Sequence, residues 1–205
     1  MPFTGFTEKD FQTFTIDGLD SRMEAIQDRI QPKFREIGQE LTEQLSLKLG
    51  QEMFLHIAKH ARRTVNPPKD TWLAIAANKR GYKQHPHFQV GLFDDHLFIW
   101  LAYIYELPKK AEIADKFLQE IAELQSIIPR DFYLSMDHMK KEAISFGESD
   151  LENVLTRFRN VKKAEFLVGR HIATDDPVLK DGDALVDLIE STFDTLLPIY
   201  KISTN

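Results

Sequence analysis

The stretch that most constrains the fold of this chain is HLFIWLAYIYEL, residues 96–107. From Leu97 to Tyr105 every one of its nine residues is apolar or aromatic, so it has neither the alternation of a half-exposed strand nor the stripe of a surface helix. A short run of this kind, rich in aromatic and branched side chains, reads as a strand buried on both faces. It is about half the length that a membrane-crossing helix requires, and no membrane span is expected. Two further β-prone runs precede it, TWLAIAAN and HFQVGLF, with the turn-like links NKRGYKQHP and DD between them. Connections this short predict an antiparallel meander in which the last strand is central and helices supply the cover.

Helical candidates lie on both sides of the meander. Thr7 with Asp10 makes a variant capping box, which opens a short helix with Phe11 and Phe14 on its apolar edge and Phe3 and Phe6 stapling it to the core. Leu19, Met23, Ile26, Ile30, Phe34, Ile37, Leu41 and Leu45 then recur every three or four positions, the clearest helical stripe in the chain. Pro32 should kink or divide it, and Gly50 should end it. Residues 51–65 fit a helical face through Phe54, Ile57, Ala58, Ala61 and Val65, and the strand alternative fails at Lys59, so a helix is expected. Asn66, Pro67 and Pro68 force an extended turn.

After the meander, the spacing predicts a helix over 109–126, strands in DFYLSMD and MKKEAISF with Asp137 and His138 at their turn, and a helix opened by a Ser149/Glu152 capping box. AEFLVGRHI reads as a strand and 182–197 as a final helix that Pro198 stops. No internal repeat or linker interrupts the chain. The expected architecture is a single α+β domain over residues 1–205, a mainly antiparallel sheet covered by helices.

Cysteine is absent, which removes disulfides, thiolate catalysis and cysteine-ligated metal sites and fits a reducing cytoplasm. MPFTGFTEKDF has neither the basic start nor the apolar core of a signal peptide, so a cytoplasmic location is expected. The net charge of −6 is unevenly spread. Residues 56–87 carry seven Lys and Arg against one acid, Asp70, a balance of +6 that leaves −12 on the rest. Repulsion from so acidic a body disfavours extended nucleic-acid binding, whereas a local anion site survives that objection.

The candidate ligand-binding residues are therefore Lys59, Arg62, Arg63, Lys79, Arg80 and Lys83, with His56, His60 and His87. Arginine forks and lysine ammonium groups suit phosphate or carboxylate. Such a cluster needs either acids from elsewhere in the chain or an external anion, and the sequence leaves both open. His56 and His60 stand at the one-turn spacing of a helical metal chelate, but Ile57 occupies the place where the zinc-protease signature has its glutamate, and no metal is expected. Arg80, Gly81 and Tyr82 match only the first three residues of the RNA-recognition signature. Gly81 is expected to turn the chain at positive φ. Trp72, Phe88, Phe93 and Trp100 read as core rather than as stacking platforms. No phosphate loop, dinucleotide fingerprint or nucleophile elbow occurs, so no cofactor is implied. Asp175, Asp176, Asp181 and Asp183 lack the spacing of a calcium loop and fit helix N-terminal charge.

Several longer segments, FTGFTEKDF, MEAIQDRIQPKF, AKHARRTVNPPKDTW and NKRGYKQHPHFQVGL, resemble the YktB-like family of uncharacterised proteins from Gram-positive bacteria. The resemblance covers roughly the first half of the chain, with looser similarity beyond. It implies a compact α+β protein of the bacterial cytoplasm and carries over no catalytic residues. The residues themselves favour a binding protein for a phosphate-bearing or other anionic ligand, or a nucleic-acid end, held by the basic segment. The alternative is a small hydrolase or transferase using His56, His60 or His87 with arginine clamps.

Overall fold

A computed structural model of the chain describes residues 3–205; Met1 and Pro2, the start of the segment read for a leader, lie outside the described residues. Seven strands join in one antiparallel sheet: β1 (Phe54–Ile57), β2 (Thr71–Ala76), β3 (His87–Leu92), β4 (His96–Tyr103), β5 (Tyr133–Ser135), β6 (Ile144–Ser145) and β7 (Phe166–Ala173). Their spatial order is β1-β2-β3-β4-β7-β5-β6. The apolar run that begins at His96 is thus the middle strand, buried at all eight positions.

Seven helices accompany the sheet: α1 (Glu8–Gln12), α2 (Leu19–Ala25), α3 (Gln31–Leu49), α4 (Lys110–Gln119), α5 (Ile121–Ile127), α6 (Leu151–Asn160) and α7 (Gly182–Thr204). They pack on one face, where Phe34, Leu41, Phe117, Leu155 and Phe193 meet Leu73, Val90, Ile99, Leu101 and Val168 in one continuous core. Phe3 sits edge-on to Phe6, and Phe6 edge-on to Phe34, so the N-terminal staple forms as expected. The Thr7 amide donates to Asp10 at 2.7 Å, and the same carboxylate pairs with Lys33 at 2.7 Å, tying α1 to α3.

Several local expectations needed correction. Residues 51–65 are not helical: Phe54–Ile57 pairs with Leu73–Ala76 as the edge strand β1, and the chain then turns at His60, whose φ of 50° lies in the left-handed region. The pull of an available sheet edge outweighed a weak local helical pattern, as tertiary context commonly does. Pro32 divides the long helix: the segment Ile26–Ile30 forms a π-turn, and the proline follows at the start of α3, where its missing amide is tolerated. Gly50 ends α3 at φ 64°.

Gly81 does not take positive φ and has open space around it, so the β2–β3 link turns without needing a glycine. The 109–126 helix is two helices meeting at Glu120. Asp150, not Ser149, caps α6 by accepting from the Asn153 amide at 3.0 Å. The MKKEAISF strand shrinks to Ile144–Ser145. Pro198 does not stop the last helix, which runs to Thr204. Burial of Ile199, Tyr200 and Ser203, with Tyr103 donating to the Ser203 hydroxyl at 3.0 Å, offsets the roughly 3 kcal/mol that an interior proline costs.

Among the described residues, the second face of the sheet carries no helix. Directly opposed residues on antiparallel strands share a face, so the register aligns His56, Ala74, Gln89, Trp100, Gly169 and Tyr133 in one row across it. Around that row Trp72, Phe93, Phe98, Trp100, Ala102 and Leu167 form a smaller, separate core. Three connections cover it, through His60 and His138 edge-on to Trp72, and Tyr82, which accepts a 3.1 Å hydrogen bond from Trp72 Nε1. Lys141 fastens the 136–143 connection across the β3–β4 turn by pairing with Asp94 and Asp95.

Candidate functional site

The basic segment folds over the uncovered face, and the structure divides its residues among three settings. His56, Lys59, Arg80 and Lys83 line one cavity of about 780 Å³ between β1 and the β2–β3 link, with Tyr82, His85 and Glu106 also in its wall. Arg63 lines a second cavity of about 620 Å³ with Arg22, Lys69 and Asp70. Arg62 and Lys79 are exposed and belong to neither.

Internal acids do little to neutralise this segment. Lys83 pairs with Glu106 at 3.3 Å, but among the described residues no carboxylate lies within ion-pair distance of Lys59, Arg62, Arg63, Lys69, Lys79 or Arg80. The acidic excess sits elsewhere, for example on α7, where Asp194 meets Lys48 at 2.7 Å.

The three candidate histidines, His56, His60 and His87, differ in availability. His56 Nε2 donates to the Asn78 carbonyl at 2.8 Å, which holds the ring against Tyr82 at the cavity wall. His87 is fully buried beneath Tyr82: its Nδ1 donates to the His85 carbonyl at 2.8 Å, and its Nε2 lies 2.8 Å from the Gln89 amide nitrogen. Burial pulls it down to about 3. His60, 3.1 Å from the Thr71 hydroxyl, is pulled to about 4 by burial and then by Arg63. Both rings therefore stay neutral and engaged within the fold, and neither lines the cavity that His56 lines.

A more unusual group lies beside the second cavity. Asp70 is 1% exposed, and its Oδ2 has no hydrogen-bond partner among the described residues. Burial pushes its carboxyl up to about 7, against the opposing pull of His138 and Arg63. His138 in turn rests on Glu165, which is buried at the foot of β7 and accepts from His138 Nδ1 at 2.8 Å, the His138 amide at 2.7 Å and the Tyr105 amide at 3.2 Å. Burial opposes protonation of His138, but the hydrogen bond and charge of Glu165, with Asp70 and Asp137 nearby, raise it above the ordinary histidine value. Asp137, His138 and Glu165 bring three donor atoms within 4.8 Å of one another, yet the His138 and Glu165 atoms already satisfy each other. Arg22, itself buried, donates to the carbonyls of Ile16 at 2.8 Å and Pro68 at 2.9 Å and so pins the Asn-Pro-Pro turn beside Asp70.

Reading the sequence alone missed Arg22, His138 and Glu165. Asp70 carried one signal, as the single acid in a run of cations. The others come from distant positions that only the fold brings alongside it.

Fold and site together define an α+β protein: a seven-stranded antiparallel sheet backed by helices on one face, with unpaired cations and a buried carboxyl on the other. The chain belongs to the family described as Domain of unknown function (DUF1054), whose pattern matches residues 6–200. It is 60% identical over 203 residues to UPF0637 protein ABC2405 of Shouchella clausii (strain KSM-K16), covering 99% of this chain and 96% of that protein. It is 60% identical over 199 residues to UPF0637 protein OB1420 of Oceanobacillus iheyensis, covering 97% of this chain and 96% of that one. Against UPF0637 protein lwe1043 of Listeria welshimeri it is 54% identical over 201 residues, 98% of each chain. The resemblance seen in the first half of the sequence thus extends through nearly all of it.

Proposed function

We propose that this protein binds a phosphate-bearing anion, such as a nucleotide or the terminal phosphate of an oligonucleotide, in the cavity between β1 and the β2–β3 link. The observation that carries this reading is that Lys59 and Arg80 line that cavity without a carboxylate partner among the described residues. Unpaired cations facing one space repel each other, and an anion between them relieves that repulsion while accepting charge-assisted hydrogen bonds. The volume, about 780 Å³, suits a ligand of nucleotide size. Tyr82 and His56 supply aromatic wall and polar edge.

Calorimetric titration with nucleotides, inorganic pyrophosphate and short 5′-phosphorylated oligonucleotides, at low and high salt, tests the proposal. Binding is expected to weaken with salt, and Lys59→Ala with Arg80→Ala to weaken it at least about tenfold, since hydrogen bonds to charged groups contribute about 1.5–3 kcal/mol each. Arg62→Ala, outside the cavity, should leave it unchanged. If the double variant bound as tightly as the wild type, or none of these anions bound, the reading would be withdrawn.

A further inference from the structure

Arg63 and Lys69 line the second cavity together with a buried carboxyl, Asp70, whereas the carboxylate in the wall of the first cavity, Glu106, is part-exposed and paired with Lys83. We infer that this is a separate site selective for an oxyanion that carries its own hydrogen-bond donor, with hydrogen phosphate as its simplest member and a sugar phosphate with a neighbouring hydroxyl as the other source of that chemistry. A buried carboxylate oxygen without a partner is expensive to maintain, and Asp70 Oδ2 is one, in a residue 1% exposed that lines the cavity wall.

The cations set the charge of the ligand. Arg63 uses Nη1 on the Asn66 carbonyl at 3.3 Å, Lys69 is exposed, and Arg22 commits Nε and Nη1 to Ile16 and Pro68. Their remaining donors suit the unprotonated oxygens of an anion. Asp70 sets a further condition. When ionised it only accepts, so an anion beside it must bring an O–H, as hydrogen phosphate does and sulfate does not. Sulfate fits only when Asp70 itself holds the proton. The charged and titratable groups bearing on Asp70 are Arg63, Arg22, Lys69, His138 and Tyr82. The cations would draw either anion in, whereas the carboxyl distinguishes between them.

The experiment compares inorganic phosphate, ribose 5-phosphate and sulfate on the whole protein by calorimetry at matched ionic strength, near pH 8.5 and near pH 6. Near pH 8.5 phosphate is expected to bind at least about tenfold more tightly than sulfate. Sulfate affinity should rise about thirtyfold on acidification to pH 6, as Asp70 takes up its proton around pH 7, while phosphate affinity changes far less. Tighter binding of ribose 5-phosphate than of phosphate would identify the hydroxyl-bearing ester as the source of the donor, and the reverse would identify the inorganic ion. Asp70→Asn, whose amide can donate to any oxyanion, should bind sulfate and phosphate alike near pH 8.5, and Arg63→Ala should weaken both. The phosphate-over-sulfate preference and its pH dependence should persist in Lys59→Ala with Arg80→Ala, which removes any phosphate binding at the first cavity and so separates failure here from failure there. Equal binding of sulfate and phosphate by the wild type near pH 8.5, or no binding of either, would overturn the inference, and neither result depends on a variant folding.

Discussion

Replacing Asp70 with asparagine should make the protein more stable above neutral pH, by an amount that shrinks as pH falls. In the unfolded chain this carboxyl ionises near its ordinary value of 3.8, whereas burial in the fold moves it to about 7. The folded state therefore binds more protons across that interval. The stability associated with this group is complete below the unfolded value, is lost progressively as pH rises through the folded value, and is level thereafter. The interval corresponds to about 4 kcal/mol, the most that removing the charge can return. A buried amide short of partners costs about 1–3 kcal/mol, which leaves a net gain of about 1–3 kcal/mol near pH 8 and a small loss near pH 4.5. For a chain of this size the gain raises the melting temperature by several degrees. Urea denaturation followed by circular dichroism at both pH values measures the gap. If the variant were less stable than the wild type near pH 8, or if the gap did not widen between the two, the carboxyl would not be an uncompensated buried charge. The second cavity would then lack the unsatisfied carboxylate that sets its selectivity.

Other consequences follow from neighbouring groups. Glu165→Gln removes the charge opposite His138, and breaking a buried pair in this way typically costs about 3 kcal/mol; because His138 is raised in the fold, the loss should be fullest below the ordinary histidine value and shrink as pH rises through the raised one, as paired urea melts would show. His60, His87 and His171 are held down to about 4, 3 and 3, chiefly by burial, so the unfolded chain takes up protons first and the urea midpoint should fall steadily below about pH 6.5; a midpoint flat to pH 5 would contradict their burial. Gly169→Ala places a Cβ 1.8 Å from the Ile99 carbonyl oxygen on the adjacent strand, which should cost about 3 kcal/mol or more in thermal melts because backbone cannot move aside cheaply. Pro198→Ala restores the missing amide within α7 and should stabilise by about 1–3 kcal/mol.

The parts of this protein legible in its sequence are those set by neighbours along the chain. The unbroken apolar run from Leu97 to Tyr105 named a central strand, and it is one, because no other placement buries both of its faces. The TWLAIAAN and HFQVGLF runs with their short links named the meander, and the stripe from Leu19 to Leu45 named the long helix divided near Pro32. Asp181 and Asp176 read as helix-terminal charge, and they accept from the Ala184 and Val178 amides. The cationic segment was visible too, since seven charges against one acid within 32 residues need no fold to be noticed.

What tertiary structure decided concerns contacts between distant residues. Whether Phe54–Ile57 becomes helix or strand depends on the free edge of β2, which no local pattern around residue 54 encodes. Pro198 lies inside a helix because Tyr103, almost a hundred positions earlier, helps hold the turn that follows it. The cationic segment looked like one site, but folding divided it: Lys59 and Arg80 face one cavity, Arg63 another, and Arg62 and Lys79 face solvent. Asp70 looked like a stray acid among cations. Only the fold buries it beside His138, with Glu165 behind, and thereby turns an ordinary carboxyl into one that ionises near neutrality. Burial and proximity set that chemistry, and both are properties of the packed chain.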